Sequence, residues 1–168
     1  EAARRNGTVF QVGSQQRSSP EFRKACEYVL SGRIGKLETI KAGFGGAPSC
    51  DYEASSKPPA GLDWDRWLGP APVAEYTPRR YADWRWFYDY SGGQLTNFGT
   101  HYLDNIQWAL GETAPTSVTA LGGKFALKDN REIPDTLEVL WKYKSGTLVV
   151  FSQYNCNAAP SNSSTGEV

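Results

Sequence analysis

The chain reads as an α+β domain, a mainly antiparallel open sheet with helices on one face. Two observations predict this. Stretches near residues 19–32 and 97–111 carry helix start and stop signals around apolar residues spaced three or four apart. Residues 136 to 154 hold two alternating, β-forming runs joined by Ser145-Gly146, the pattern of an antiparallel hairpin.

Taken in order, the opening EAARRNG reads as the end of a helix closed by a glycine, as if further chain preceded it. Thr8 to Val12 is rich in β-formers and reads as a short strand entering the polar turn GSQQRSS. A helix follows, with Ser19 as its cap, Pro20 at the first position, Glu21 at the positive end of the dipole and Gly32 closing it. Leu37 to Phe44 reads as a strand. Residues 45–78, rich in Gly, Pro and Ser and containing Pro58-Pro59, read as a long irregular excursion of the kind that forms lids or insertions. The phrase RRYADWRWFYDYSGG then leads into the central helix, bringing Arg85, Trp86, Tyr88, Asp89 and Tyr90 close to its start. After Gly111 the patterns turn to strands, Ser117 to Leu127, Leu137 to Tyr143 and Thr147 to Tyr154. Residues 157–168 read as a polar, frayed tail.

The stretch from Ser91 to Gly111 holds the only histidine of the chain, His101. Asn97 is a good cap for a helix starting there, and Gly92 and Gly93 allow a sharp turn before it. Leu103, Ile106 and Leu110 form its apolar stripe, with Gly99 letting the helix lie close to its support. Asn97, His101, Asp104 and Trp108 share another face, so Asp104 or Asn97 is placed to fix the tautomer of His101.

Eighteen basic residues balance eighteen acidic ones, so the charge footprint of a nucleic-acid or membrane-surface binder is missing. Six Trp and nine Tyr, many between Trp64 and Tyr90, suit the wall of a sugar-like ligand site as well as an ordinary core. Cys26, Cys50 and Cys156 give an odd count with no C-x-x-C pair, so neither a disulfide framework nor a thiolate zinc site is expected, and a reducing compartment fits best. No apolar run is long enough to span a bilayer, so a soluble, cytoplasmic chain is favoured.

In order, FQVGSQQRSSPEFRKACEYVLSGRIGKL, GLDWDRWLGPAP, RWFYDYSGGQLTNFGTHYLDNIQWALG and PDTLEVLWKYKSGTL resemble the Gfo/Idh/MocA oxidoreductases, NAD(P)-dependent sugar and cyclitol dehydrogenases and related enzymes. The resemblance covers nearly the whole chain. It implies a two-part plan, a nucleotide-binding Rossmann domain followed by a substrate and oligomerisation domain, of which residues 1–168 supply a single, partial second part. No G-x-G-x-x-G follows a strand pattern and the spacing in GFGGAP is wrong, so no cofactor-binding residue is expected on this chain, and NAD(P) only where a Rossmann domain is supplied. In the family's D-x-x-x-H signature the histidine corresponds to His101, a proton donor or acceptor at a substrate hydroxyl, and the aspartate position is Asn97. By the same resemblance Arg17 and residues 86–90 lie near substrate.

Three functional expectations follow. The first is a substrate-binding domain taking a carbohydrate-like ligand, not competent for hydride transfer alone, with a separate nucleotide-binding domain as partner. The second is a nucleotide-independent hydrolase or lyase using His101 as general base or metal ligand, with Asp104, Asp89 or Asp63 assisting; no zinc-type spacing surrounds the histidine, so no metal-site residues are assigned. The third is a structural remnant whose exposed sheet drives formation of a homodimer or larger assembly, with exchanged strands.

Overall fold

A computed structural model of the chain describes residues 1–45 and 52–154. Within them lie four longer elements of sheet, one long helix that supports the sheet and a second helix packed on that one. Strands β1 (Thr39–Gly45), β2 (Ser117–Gly123), β3 (Thr136–Lys142) and β4 (Leu148–Tyr154) form one sheet in the order β1-β4-β3-β2. β2 with β3 and β3 with β4 are antiparallel, whereas β1 runs parallel to β4 at the sheet margin. The sheet is therefore open and mainly antiparallel, as the alternating patterns predict.

Register explains the core. Because paired residues share a face, Ile40 opposite Val149, Ala42 opposite Phe151 and Val139 opposite Phe151 put one apolar set on one side of the sheet. That side is covered by helix α5 (Phe98–Leu110), whose Tyr102, Leu103, Ile106 and Leu110 pack into the cluster of Val139, Trp141, Val149 and Phe151. Gly99 makes the close approach: a Cβ there would stand 3.4 Å from the Gln94 carbonyl oxygen and 3.5 Å from Phe151. Helix α2 (Pro20–Leu30) packs in turn on α5, with Cys26 buried between them. α5 ends at Gly111 in the left-handed region, and Glu112 uses its carboxylate to accept from the Lys144 and Ser145 amides of the β3–β4 turn. Tyr143 and Thr147 close that turn around Gly146, which has φ +89.

Several sequence expectations are corrected. Thr8 to Val12 joins no ladder among the described residues; the Thr8 amide and hydroxyl both donate to the Ala3 carbonyl instead. Helix α1 (Ala2–Arg5) does end before a glycine, Gly7, with positive φ. Ser19 stands at the α2 cap position, yet its hydroxyl donates to Glu21 instead of accepting from the first turn. Asn97 likewise precedes α5 without capping it, its amide donating to Gln94 at 3.3 Å. β2 stops at Gly123, short of Leu127, because the amides of Phe125, Ala126 and Leu127 turn inward to the Asp135 carboxylate.

The excursion is not wholly irregular. It contains helix α3 (Trp64–Leu68), started by Asp63 accepting from the Arg66 amide, and leads into α4 (Pro78–Ala82), started in the same way by Thr77. Trp64 and Trp67 stack at 4.6 Å and meet Tyr76 and Tyr90 edge-on, so this segment builds an aromatic cluster of its own. Residues 46–51 of the excursion, the tail 157–168, Cys50 and Cys156 lie outside the described residues.

Candidate functional site

The strip of α5 that carries His101 begins one turn into the helix. Residues 97, 101, 104 and 108 fall on one face by helical periodicity, and all four are half-buried, between core and solvent. Arg17 reaches this strip from the short 3-10 turn Gln15–Ser18 that precedes α2. Its Nε donates to one oxygen of Asp104 and its Nη2 to the other, both at 2.7 Å, and its guanidinium lies 4.9 Å from the centre of the Trp108 indole. A planar fork that matches both carboxylate oxygens while stacking on a ring fixes a geometry that a lysine would not.

This pairing decides what Asp104 does. The Arg17 hydrogen bonds hold its carboxyl below the usual carboxylate range, with the nearby His101 adding in the same direction. Asp104 is thus a committed anion, and both of its oxygens serve Arg17. The ring of His101 meets Phe98, centre to centre at 6.4 Å. Cys26, close under Arg17 and Asp104, has its thiol pushed up by burial, which makes it a packed side chain and a poor nucleophile.

The second set of sequence candidates gathers elsewhere, around Arg80 of α4. Arg80 donates to Asp89 at 3.1 Å, Tyr90 at 3.3 Å and Glu132 at 3.2 Å, and its guanidinium covers Phe87 at 4.3 Å. Trp86 is buried with the Arg131 guanidinium 4.9 Å from its ring, Arg85 pairs with Asp83, and Tyr88 is exposed while its amide donates to Glu132. Arg17, Asp104 and Trp108 are therefore brought together, as are Asp89 and Tyr90, but by two different arginines. Sequence reasoning passed over Arg80 and Glu132, because an Arg in an Arg-Arg pair and a Glu in a loop give no periodic signal.

Concave regions open at several places among the described residues. A polar pocket of about 270 Å³ is bordered by Glu53, Ser55, Thr77, Arg80, Phe87 and Asn130. An apolar groove of about 470 Å³ runs between α2, β1 and α5, and an open hollow of about 530 Å³ lies on the outer side of α2. None of these three includes His101 in its lining. Among the described residues no group of three or more His, Cys, Asp and Glu is placed to hold a metal ion, and no helix is long and apolar enough to cross a membrane.

Comparison with solved structures returns the same fold repeatedly. GenD2 from gentamicin A biosynthesis, in complex with NAD, is 21% identical with a TM-score of 0.58, covering 94% of this chain and 36% of that one. The WlbA dehydrogenase of Chromobacterium violaceum, in complex with NADH and UDP-GlcNAcA, is 20% identical with a TM-score of 0.58, covering 94% and 37%. The aldose-aldose oxidoreductase of Caulobacter crescentus, complexed with glycerol, is 18% identical with a TM-score of 0.57, covering 93% and 39%. At such identities the likeness shows the fold, and the chain spans less than two fifths of the length of each. No curated protein matches the chain. Residues 46–166, well over half of the sequence, match the oxidoreductase family described by its C-terminal alpha/beta domain. The chain belongs to the Gfo/Idh/MocA oxidoreductase family, through that C-terminal domain.

Proposed function

We propose that the chain is a substrate-binding domain of an oxidoreductase, taking a polyol or carbohydrate-like ligand beside His101, and that it does not transfer hydride alone. The observation that carries this reading is the α5 strip, where a lone imidazole stands next to a bidentate Arg17–Asp104 pair laid over the Trp108 indole. An imidazole exchanges a proton with a hydroxyl near neutral pH, and a fixed guanidinium and indole edge orient a polyol. In this reading His101 is the proton donor or acceptor, Asn97 lies beside it, and Arg17 and Asp104 hold its surroundings. Arg85, Trp86, Tyr88, Asp89 and Tyr90 are assigned to the ligand's distal groups; of these, Asp89 and Tyr90 are held by Arg80.

A nicotinamide, when bound, supplies or accepts the hydride, and the protein's part is to place it against the substrate carbon. The described residues form no cradle for its pyrophosphate, so another domain or a separate chain is assigned that task. The complexes named above, with NAD, with NADH and UDP-GlcNAcA, and with glycerol, are consistent with ligands of this class.

Because the chain has a single histidine, its imidazole resonances are unambiguous. Titration with myo-inositol, glycerol and UDP-sugars is expected to shift them at millimolar ligand, with the shift abolished in Arg17→Ala, while NADH fluorescence stays unchanged on adding the chain. Imidazole resonances that ignore all three ligand types would reject the reading.

A further inference from the structure

His101 and Asp104 stand three residues apart on α5, so their side chains are neighbours across one turn, with Cβ atoms about 5–6 Å apart. A carboxylate so placed can pair with an imidazole, holding its proton and choosing its tautomer. Here the carboxylate is taken. Arg17 donates to both oxygens at 2.7 Å, from Nε to one and from Nη2 to the other. The Trp108 indole, one turn further along the same face, holds the guanidinium from a second direction at 4.9 Å. Asp104 feels His101 as well, since its carboxyl is lowered by that imidazole in addition to Arg17.

Among the described residues, the other groups that face this strip bring little charge to it. α2 contributes the buried Cys26 thiol, which burial pushes up and so keeps neutral. The side chains that β3 and β4 turn towards α5, Val139, Trp141, Val149 and Phe151, carry no charge, and Phe98, one turn before His101, offers an aromatic ring. We propose that Arg17 is a positioning residue for His101: by occupying both oxygens of Asp104 it withholds that carboxylate from the imidazole, and so sets the pH at which His101 exchanges its proton. A contacting arginine and aspartate present a net charge of zero to the imidazole, whereas either one alone does not. The catalytic meaning of this control rests on the reading of His101 as proton donor or acceptor given above. An imidazole locked to a carboxylate keeps its proton and accepts poorly from a hydroxyl, whereas one spared that partner can take a proton and return it.

The test is a pH titration of the His101 resonances in the full chain without ligand, over wild type and variants of the pair. Both side chains are over a third exposed, so the variants are expected to keep the fold. Arg17→Gln is expected to move the His101 midpoint up, because it removes a cation and releases Asp104 in the same step. Asp104→Asn is expected to move it down, since Arg17 then stands uncompensated. The double variant removes no net charge and is expected to return the midpoint to the wild-type value. Arg17→Lys, which keeps the charge without the planar fork, is expected to fall between wild type and Arg17→Gln. Coincident midpoints in wild type and both single variants would overturn the proposal. So would a double variant that keeps the whole Arg17→Gln shift, because Arg17 would then act on His101 without Asp104. The readout needs no ligand, so its failure is distinct from that of the substrate reading: a ligand response without this spread of midpoints rejects the control by Arg17 alone, and the spread without a ligand response upholds that control while rejecting the substrate.

Discussion

Asp135 shows how one buried charge organises a loop. It is 1% exposed and accepts from the amides of Phe125, Ala126 and Leu127, at 3.1, 2.9 and 2.9 Å, and from the Thr136 hydroxyl at 2.9 Å. Burial works against its charge, yet these four donors outweigh burial and hold the carboxyl below the usual range. A group with a lowered folded pKa contributes stability above its unfolded value, and that contribution is lost as pH falls through the folded value. Asp135→Ala leaves the amides without their acceptor, and we expect a loss of about 2–4 kcal/mol, less than the sum of lost bonds because Phe125 and Ala126 reach solvent. Urea unfolding at pH 7 measures the loss. The same experiment repeated towards pH 3 should show a shallower acid decline in the variant than in the wild type, and parallel declines would mean the carboxylate is not the linked group. The Arg17–Asp104 pair has the same sign of pH dependence, but both side chains are over a third exposed and solvent screens them, so its share is smaller.

At the level of elements, the entry to α5 is held by a turn that only glycine permits. Gly93 has φ +70, and a Cβ there would stand 2.5 Å from the Cγ2 atom of buried Ile133. Its carbonyl accepts from the Asn97 amide and the Thr96 hydroxyl, fixing where the helix begins. Gly146 has φ +89 with open space around the position a Cβ would take, so Gly146→Ala carries the backbone strain alone. We expect Gly146→Ala to cost about 1 kcal/mol and Gly93→Ala about 2–4 kcal/mol, the difference being overpacking against Ile133. Equal urea midpoints for the two variants would show that Ile133 yields freely. Elements of this kind were largely legible. The apolar spacing of 103, 106 and 110, the Pro20 start and the Ser145-Gly146 turn are local signals, and the helices and hairpin appear where those signals lie. Thr8 to Val12 carries β-forming residues without joining the described sheet, because propensity does not supply the neighbour that a strand needs. The site was less legible for the same reason: Arg17 and Asp104 lie 87 residues apart, and their hydrogen bonds, which leave Asp104 to serve Arg17, are tertiary facts.

For the molecule as a whole, the described residues form two packed bodies of different character. One is the sheet with α5, aliphatic and aromatic, closed around Val149 and Phe151. The other is the aromatic cluster of residues 64–90, where Trp64, Trp67, Tyr76, Tyr81, Phe87 and Tyr90 meet. Arg80 ties the second to the first, because Glu132, which it holds, lies just before β3. Its side chain is 14% exposed and serves two carboxylates, so truncation leaves Asp89 and Glu132 without their cation. We expect Arg80→Ala to destabilise the aromatic body by about 3 kcal/mol, and Arg80→Lys, which keeps the charge but not the planar fork, by less. Hydrogen exchange separates the outcomes. If Arg80 is the tie, the amides of residues 86–91 and 132–133 exchange faster in Arg80→Ala while those of β3 and β4 keep their protection. Uniform acceleration through β3 and β4 would instead mean that the two bodies unfold as one, and that the excursion is part of the cooperative core of the domain.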